Sequence, residues 1–381
     1  PDGSTLDRPT LLLQDPTRCP LLAGFECAHH LRQDGVRVDP MRVTRHDRFA
    51  FDDYRLAREL GMEGARDGLR WQAIERSPGR YDWSETDRML DASAEAGLPV
   101  AWDLCHWGWP EYIDFWSLDF VSAFAEFTAA AVERMRRSGA PVAGLVPVNE
   151  ISFWAWAGGD RRGFAPHGWN QGGELKRQLV RAFLASSSVI RELSPEIPVL
   201  VSEPLIVIHS GRSPASRRGA VRKQASMYEA WDLLLGRTEP ELGGHPRAFD
   251  ILGLNWYPAN QWQHPHPTLP RKDPRRVRLG VLLRDLAGRY GKPMMLTETG
   301  DEEPGGAEWL AEVAAQCDEA RRAGVDLRGV CLYPVMDYPG WENDRHCPCG
   351  PVALAGDWQT RSVRPAMREA IRDAVDRLAP R

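Results

Sequence analysis

The chain has 381 residues, 43% hydrophobic and 27% charged, which is ordinary globular material with ample core. A formal net charge of −5 excludes the basic face that non-specific nucleic-acid binding needs. No apolar run reaches the roughly 18 residues required to cross a bilayer, so no membrane span is expected.

Residues 1–20 read as an N-terminal extension. Its opening, PDGSTLDRPTLLLQD, lacks the basic segment and apolar core of an export signal. Together with seven cysteines, sparse and odd in number, this points to free thiols in the reducing cytoplasm. The first predicted strand is 21–27, LLAGFEC, followed by a helix over 47–61 that stops at glycine. Strand two spans 64–71, with helix 84–97 behind it. Strand three spans 99–105 and leads through helix 118–139 to strand four, 144–150. Helix 174–193 precedes strand five, 197–204, and a helical region near 220–236 precedes strand six, 250–258. Helix 275–291 leads to strand seven, 293–300, and helix 308–324 to strand eight, 329–337. A last helix covers 364–378.

Short Val- and Leu-rich runs alternating eight times with helices predict an α/β fold, a single (β/α)8 TIM barrel over residues 1–381. Parallel strands need their crossover helices on the outside. Irregular stretches at 151–173, 205–219, 259–273 and 338–356 follow strand ends, where such barrels build their sites.

Strand four, GLVPVNE, ends in Asn149 and Glu150, and strand seven delivers Glu298 in TETG. Two carboxyls facing each other across a pocket suit glycoside cleavage, one as proton donor and one as nucleophile or base. Glu298 is expected to be ionised, with Arg66 and Tyr257 as partners. Glu150 is expected to hold its proton through burial against Trp154 or Trp107 and through the nearby Glu298 charge. Asn149 is placed to donate to a sugar hydroxyl. His106 in CHWGWP and Asn255 in LNWYP are further candidate sugar contacts, and Glu26, His29 and His30 after strand one are expected to line the site. Glu203 in SEPL is a rival carboxylate ranked below Glu298, and Asp103 reads as structural.

Fifteen tryptophans are many for this length, and several stand beside Gly and Pro in loops. There their ring faces can meet the C–H groups of pyranoses. Cys347 and Cys349 in HCPCG have no second pair at zinc-site spacing. HExxH, Walker, Rossmann and G-x-S-x-G motifs are absent, so neither metal nor organic cofactor is expected.

These motifs together resemble glycoside hydrolase family 1, the β-glucosidase and β-galactosidase family within the clan of retaining barrel glycosidases. ARDGLRWQAIERSPGRYDW resembles its Arg-containing strand-two segment, DLCHWGWP its His-Trp-x-x-Pro, and VNEISF its Asn-Glu-Pro with Ile151 replacing proline. FAPHG, LNWYP and LTETG resemble the Ala-Pro-Gly turn, the strand-six Asn and Tyr, and Thr-Glu-Asn-Gly. The resemblance covers about Leu21 to Trp341. It implies Glu150 as acid/base and Glu298 as nucleophile, with Arg66 beside it, and Asn255, Tyr257, His106 and Trp107 in the site.

The chain departs from the family where outer sugar hydroxyls are gripped. Strand one reads GFECAHH in place of the usual Gln. After strand eight Tyr333 stands for the tryptophan platform and Gly340 for a Glu, while Trp341 remains. An altered sugar and, given the short chain, a more open mouth are therefore expected. The reading is a hydrolase, an exo-acting retaining β-glycosidase of carbohydrate metabolism acting on a small glycoside, with carboxyls about 5 to 5.5 Å apart. A transglycosidase using the same carboxylates and an inactive carbohydrate-binding barrel are the alternatives.

Overall fold

The computed structural model describes residues 11–265 and 267–380. Eight parallel strands form one sheet: β1 (Leu21–Gly24), β2 (Gly64–Gly68), β3 (Val100–Cys105), β4 (Val142–Val148), β5 (Leu200–Pro204), β6 (Ile251–Asn255), β7 (Met294–Thr299) and β8 (Leu327–Leu332). They lie in chain order, and β1 sits between β2 and β8. The parallel bridges Leu145–Val199 and Asn149–Ser202 join β4 to β5 and close the ring. The expected (β/α)8 barrel is present.

The outer layer consists of α1 (His46–Glu59), α2 (Ser84–Ala96), α3 (Leu118–Ser138), α4 (Gly172–Leu193), α5 (Pro214–Ser226), α6 (Glu229–Leu234), α7 (Leu279–Tyr290), α8 (Gly306–Arg322) and α9 (Pro365–Leu378). Helix α3 shows the local logic. Asp119 stands in its first turn and Arg136 and Arg137 in its last, matching the helix dipole. Phe120, Phe124, Phe127 and Val132 recur on its buried stripe, and Gly139 ends it at φ 69°. Among the described residues no helix is long and apolar enough to cross a membrane.

Two buried clusters result. The larger lies between sheet and helices. The smaller runs through the lumen, with Leu22, Ala101, Val146, Met295 and Cys331 from the strands and Leu13 from the N-terminal extension closing the lower end. Under β1, His46 bridges Asp53 (2.8 Å) and Asp67 (2.7 Å), stacks on Phe25, and is joined through Asp53 to Arg361. Burial opposes the imidazolium, but Asp67 and Asp53 outweigh it and raise His46 to about 9.

Expected element edges shift in several places: β1 ends at Gly24, β5 starts at Leu200, α7 starts at Leu279 and β8 spans Leu327–Leu332. Strand two stops at Gly68, and Trp71 opens a short helix, Trp71–Ile74. The helical region near 220–236 splits into α5 and α6 and starts earlier, because Ser213 caps the Ser216 N–H and Pro214 suits the first turn. The stretches read as irregular carry ordered rims. Val207–Ser210 pairs with Gln261–His264, Ala155–Asp160 forms a π-type turn, and Tyr338–Pro339 pairs with His346–Cys347. Cys347 and Cys349 are buried free thiols in this rim.

Candidate active site

Arg66, fully buried on β2, organises the mouth of the barrel. Its Nε and Nη2 donate to the two oxygens of Asp103 on β3 at 2.9 and 2.7 Å. Nη1 donates to Glu298 Oε1 at 2.7 Å and to the Thr297 carbonyl at 3.0 Å, while Nη2 also reaches Asn149 Oδ1 at 2.8 Å. Burial works against the guanidinium charge, but Asp103 and Glu298 outweigh it and hold Arg66 cationic. Strand geometry explains the convergence, since alternate side chains of a closed barrel point inward at its carboxyl end.

Glu298 is held from both sides. Arg66 takes Oε1, and the Tyr257 hydroxyl donates to Oε2 at 2.8 Å. Glu150 stands two residues past the end of β4 in a left-handed conformation, φ 47° and ψ 63°, an unusual position for a residue other than glycine. Its Oε1 accepts from Asn255 Nδ2 at 2.8 Å. Asn255 is also the backbone register partner of Glu298 across β6 and β7, so the strand pairing that sets Glu298 also sets the amide that holds Glu150. Burial, then the Glu298 charge, pushes the Glu150 carboxyl well above the usual carboxylate range.

Several expected sugar contacts have other work. Asn255 is committed to Glu150 through Nδ2, and its Oδ1 accepts from Ser202 (3.0 Å) and Thr297 (2.7 Å). His106 accepts at Nε2 from Asn149 (2.8 Å), and its Nδ1 faces Cys27 and Asp103, each at 3.1 Å, leaving no free ring nitrogen. Trp107 is buried and donates to the Asn149 carbonyl at 3.0 Å. Trp154 is fully buried and donates to the Ala165 carbonyl at 2.8 Å, among Trp109 and Phe115. His29 is turned to Asp39 (3.4 Å) and Gln72. These groups support the site from behind.

The β1 and β8 side differs. Glu26 Oε1 accepts from the Ala28 N–H (2.9 Å) and the Tyr333 hydroxyl (3.3 Å), while its Oε2 is buried without a partner. Burial raises this carboxyl. The Tyr333 ring lies 5.4 Å over the Arg66 guanidinium. A Cβ on Gly24 would sit 2.3 Å from that ring, so the close approach requires glycine. His30 stacks on Phe164 at 3.7 Å with neither nitrogen in a well-formed hydrogen bond, and burial, opposed by a contact to the Trp341 backbone, lowers it to about 3, a neutral imidazole. Trp341 crosses Trp107 edge to face at 5.0 Å, and its Nε1 is also unpartnered.

Glu150 and Glu298 are only 7% and 4% exposed, so both carboxyls are well shielded from solvent. Phe153 and Tyr338 flank Trp341 at the rim of the mouth. Sequence reading left Asp103 as a structural residue; it is the main partner of Arg66. It missed Thr297, Ser202 and Cys27, whose only signal was an inward position on a buried strand. Cys27, Asp103 and His106 bring three metal-type donor atoms within 4.8 Å of one another. Because Arg66 already occupies both oxygens of Asp103, the trio fits a hydrogen-bonded brace better than a cation site.

No protein-family model matches the chain. No curated protein matches it either. Solved structures do. A hyperthermophilic β-glucosidase mutant aligns with a TM-score of 0.78 at 16% identity, over 94% of this chain and 100% of the other. A family 1 β-glucosidase from Thermotoga maritima gives 0.76 at 15% identity, over 96% and 98%. The β-glucosidase from Thermotoga maritima in complex with glucoimidazole gives 0.76 at 18%, over 88% of each chain. At such identities the likeness establishes the shared barrel fold, and the chemistry has to be argued from the side chains.

Proposed function

We propose that the chain is a retaining β-glycosidase that removes a sugar from a small β-glycoside, with Glu298 as nucleophile and Glu150 as acid/base. The observation that carries this reading is the unlike setting of two neighbouring carboxyls. Glu298 accepts from one cation and one hydroxyl, whereas Glu150 is buried, accepts from a single amide and is pushed up. A pair driven apart in this way divides into nucleophile and proton donor.

In the first step a Glu298 oxygen attacks the anomeric carbon. The bond to the leaving oxygen breaks, and the Glu150 proton moves onto that oxygen. Forming the glycosyl ester removes the Glu298 charge, so Glu150, now a carboxylate, takes a proton from water as the water attacks the same carbon. The ester bond breaks, the β configuration returns, and Glu150 is again protonated. No step needs a metal or an organic cofactor. The unpartnered Glu26 Oε2, the two His30 nitrogens and Trp341 Nε1 suit a sugar rich in hydroxyls, which can donate to some and accept from others. The β-glucosidase neighbours agree with this class of substrate.

A screen of nitrophenyl β-glycosides, including deoxy and pentose sugars, tests the reading. At least one should be cleaved, and a 2-fluoro sugar of the same series should label Glu298. With Glu150→Ala, added azide should rescue turnover as a β-glycosyl azide; an α product contradicts retention. Binding of the fluoro sugar without labelling would support an inactive carbohydrate-binding barrel.

A further inference from the structure

Glu203, which takes no part in the reaction above, lies at the β4–β5 seam. It is fully buried near the end of β5. Backbone rungs cross this seam at Leu145–Val199 and Asn149–Ser202, and the Glu150 N–H donates to the Ser202 carbonyl at 2.8 Å. The next contact is made by a side chain. Both oxygens of Glu203 lie at the Ser152 N–H, at 3.1 and 3.3 Å. This N–H belongs to the first turn of the short helix Ile151–Trp154, directly after the left-handed Glu150. First-turn N–H groups have no partner within a helix, and a carboxylate satisfies them.

We propose that Glu203 acts on the reaction through Glu150, as a positioning residue that clamps the turn carrying the acid/base and lays a second negative charge against its carboxyl. The inference rests on the glycosidase reading for its catalytic meaning, though the contact itself does not. Glu150 is faced by Glu298 from β7, Asn255 and Tyr257 from the β6 end, Arg66 from β2 and Glu203 from β5. Glu203 is faced by Ser152 and, from α4, by Lys176, whose ammonium is already bonded to Glu229 at 2.5 Å. The Lys176 charge opposes the rise of the Glu203 carboxyl, but ranks behind burial and the Ser152 contacts.

Burial pushes the Glu203 carboxyl up to about 7, with the Ser152 contacts opposing. Its charge therefore develops as pH rises through neutrality, the range in which a general acid starts to lose its proton. Repulsion from Glu203 delays that loss. The acid limb of the rate profile should consequently extend to higher pH than burial and Glu298 alone would give.

The test compares the parent with Glu203→Gln and Glu203→Asp. Substrates are one aryl β-glycoside with a poor leaving group, which needs the acid, and one dinitrophenyl glycoside, which does not. Glu203→Gln should move the alkaline limb of kcat/KM down by about 0.5 to 1 pH unit. It should cost the poor substrate roughly tenfold near neutral pH and the dinitrophenyl substrate less than about threefold. Glu203→Asp, which keeps the charge, should hold the limb in place. An unmoved limb with equal losses on both substrates means a structural role only and overturns the proposal.

Carboxyl titration by 13C NMR, with the Glu150 signal assigned by its loss in Glu150→Gln, separates this from failure of the glycosidase reading. If no glycoside is cleaved, that reading falls. A Glu150 titration that stays put in Glu203→Gln and Glu203→Asp sinks the contact itself, whether or not there is activity. A downward shift in the Gln variant alone sustains it.

Discussion

On one side of the mouth every nitrogen of the Arg66 guanidinium is bonded, and Asp103, Asn149 and Glu298 are fixed by it. Next to it, at the ends of β1 and β8, Glu26, His30 and Trp341 each keep a buried atom without a partner. The Arg66 side has its hydrogen bonds complete, which is what electrostatic preorganisation would require of the proposed reacting groups. The β1 and β8 side is unfinished, and an unmet buried polar atom costs about 1 to 3 kcal/mol until a ligand meets it. On the proposed glycosidase reading, the contrast separates the part that would perform the chemistry from the part that would select the sugar.

Substitutions on the two sides should therefore fail differently. The largest effect belongs to Glu298→Gln, which keeps the shape of the finished side and removes the proposed nucleophile. Steady-state kinetics should show kcat/KM falling by at least about 10,000-fold with the fold intact. Arg66→Lys comes next. The charge stays but the fork that grips Asp103 and Glu298 is lost, and denaturant unfolding should report about 3 to 5 kcal/mol of destabilisation. A smaller loss would mean that this side is less rigid than its hydrogen bonds imply.

His46 tests the support beneath β1, where it stacks on Phe25 next to Glu26. Its folded-state value is raised from an ordinary 6.5 to about 9, so the folded protein holds this proton more tightly than the unfolded chain. That stabilisation is fully present below pH 6.5 and is lost as pH rises through about 9. It amounts to about 3 kcal/mol at most. The stability difference between parent and His46→Phe, followed by thermal melting across that range, should shrink towards alkaline pH; a flat difference removes the charged histidine. The smallest effect is expected from Trp341→Phe. Loss of one N–H should raise KM about threefold to tenfold and leave kcat nearly unchanged. An equal fall in kcat would blur the division between the sides.

The fold was legible because its signals are local. Eight buried runs and their helices follow from apolar spacing, and Glu150 and Glu298 stand out as charges ending such runs. Residue roles were less legible. His106 and Asn255 read as sugar contacts because a polar group at a strand end looks the same whether it faces a ligand or braces a neighbour. Which one it does depends on partners far away in the chain, such as Asn149 for His106 and Thr297 for Asn255. The early start of α5 was legible but overlooked, since Ser213 followed by Pro214 is a helix-opening pair. The unpartnered atoms of Glu26 and Trp341 have no sequence signal.

The place of β1 between β2 and β8 has a consequence for how the chain is born. During synthesis the first strand emerges with one neighbour available and must wait for the last to reach the other. Until residues near Leu332 leave the ribosome, its second edge stays open to pairing with other chains, and Tyr333 cannot yet fill the space above Gly24. Stalled or truncated products ending before β8 should accordingly be the species that chaperones capture and that aggregate first.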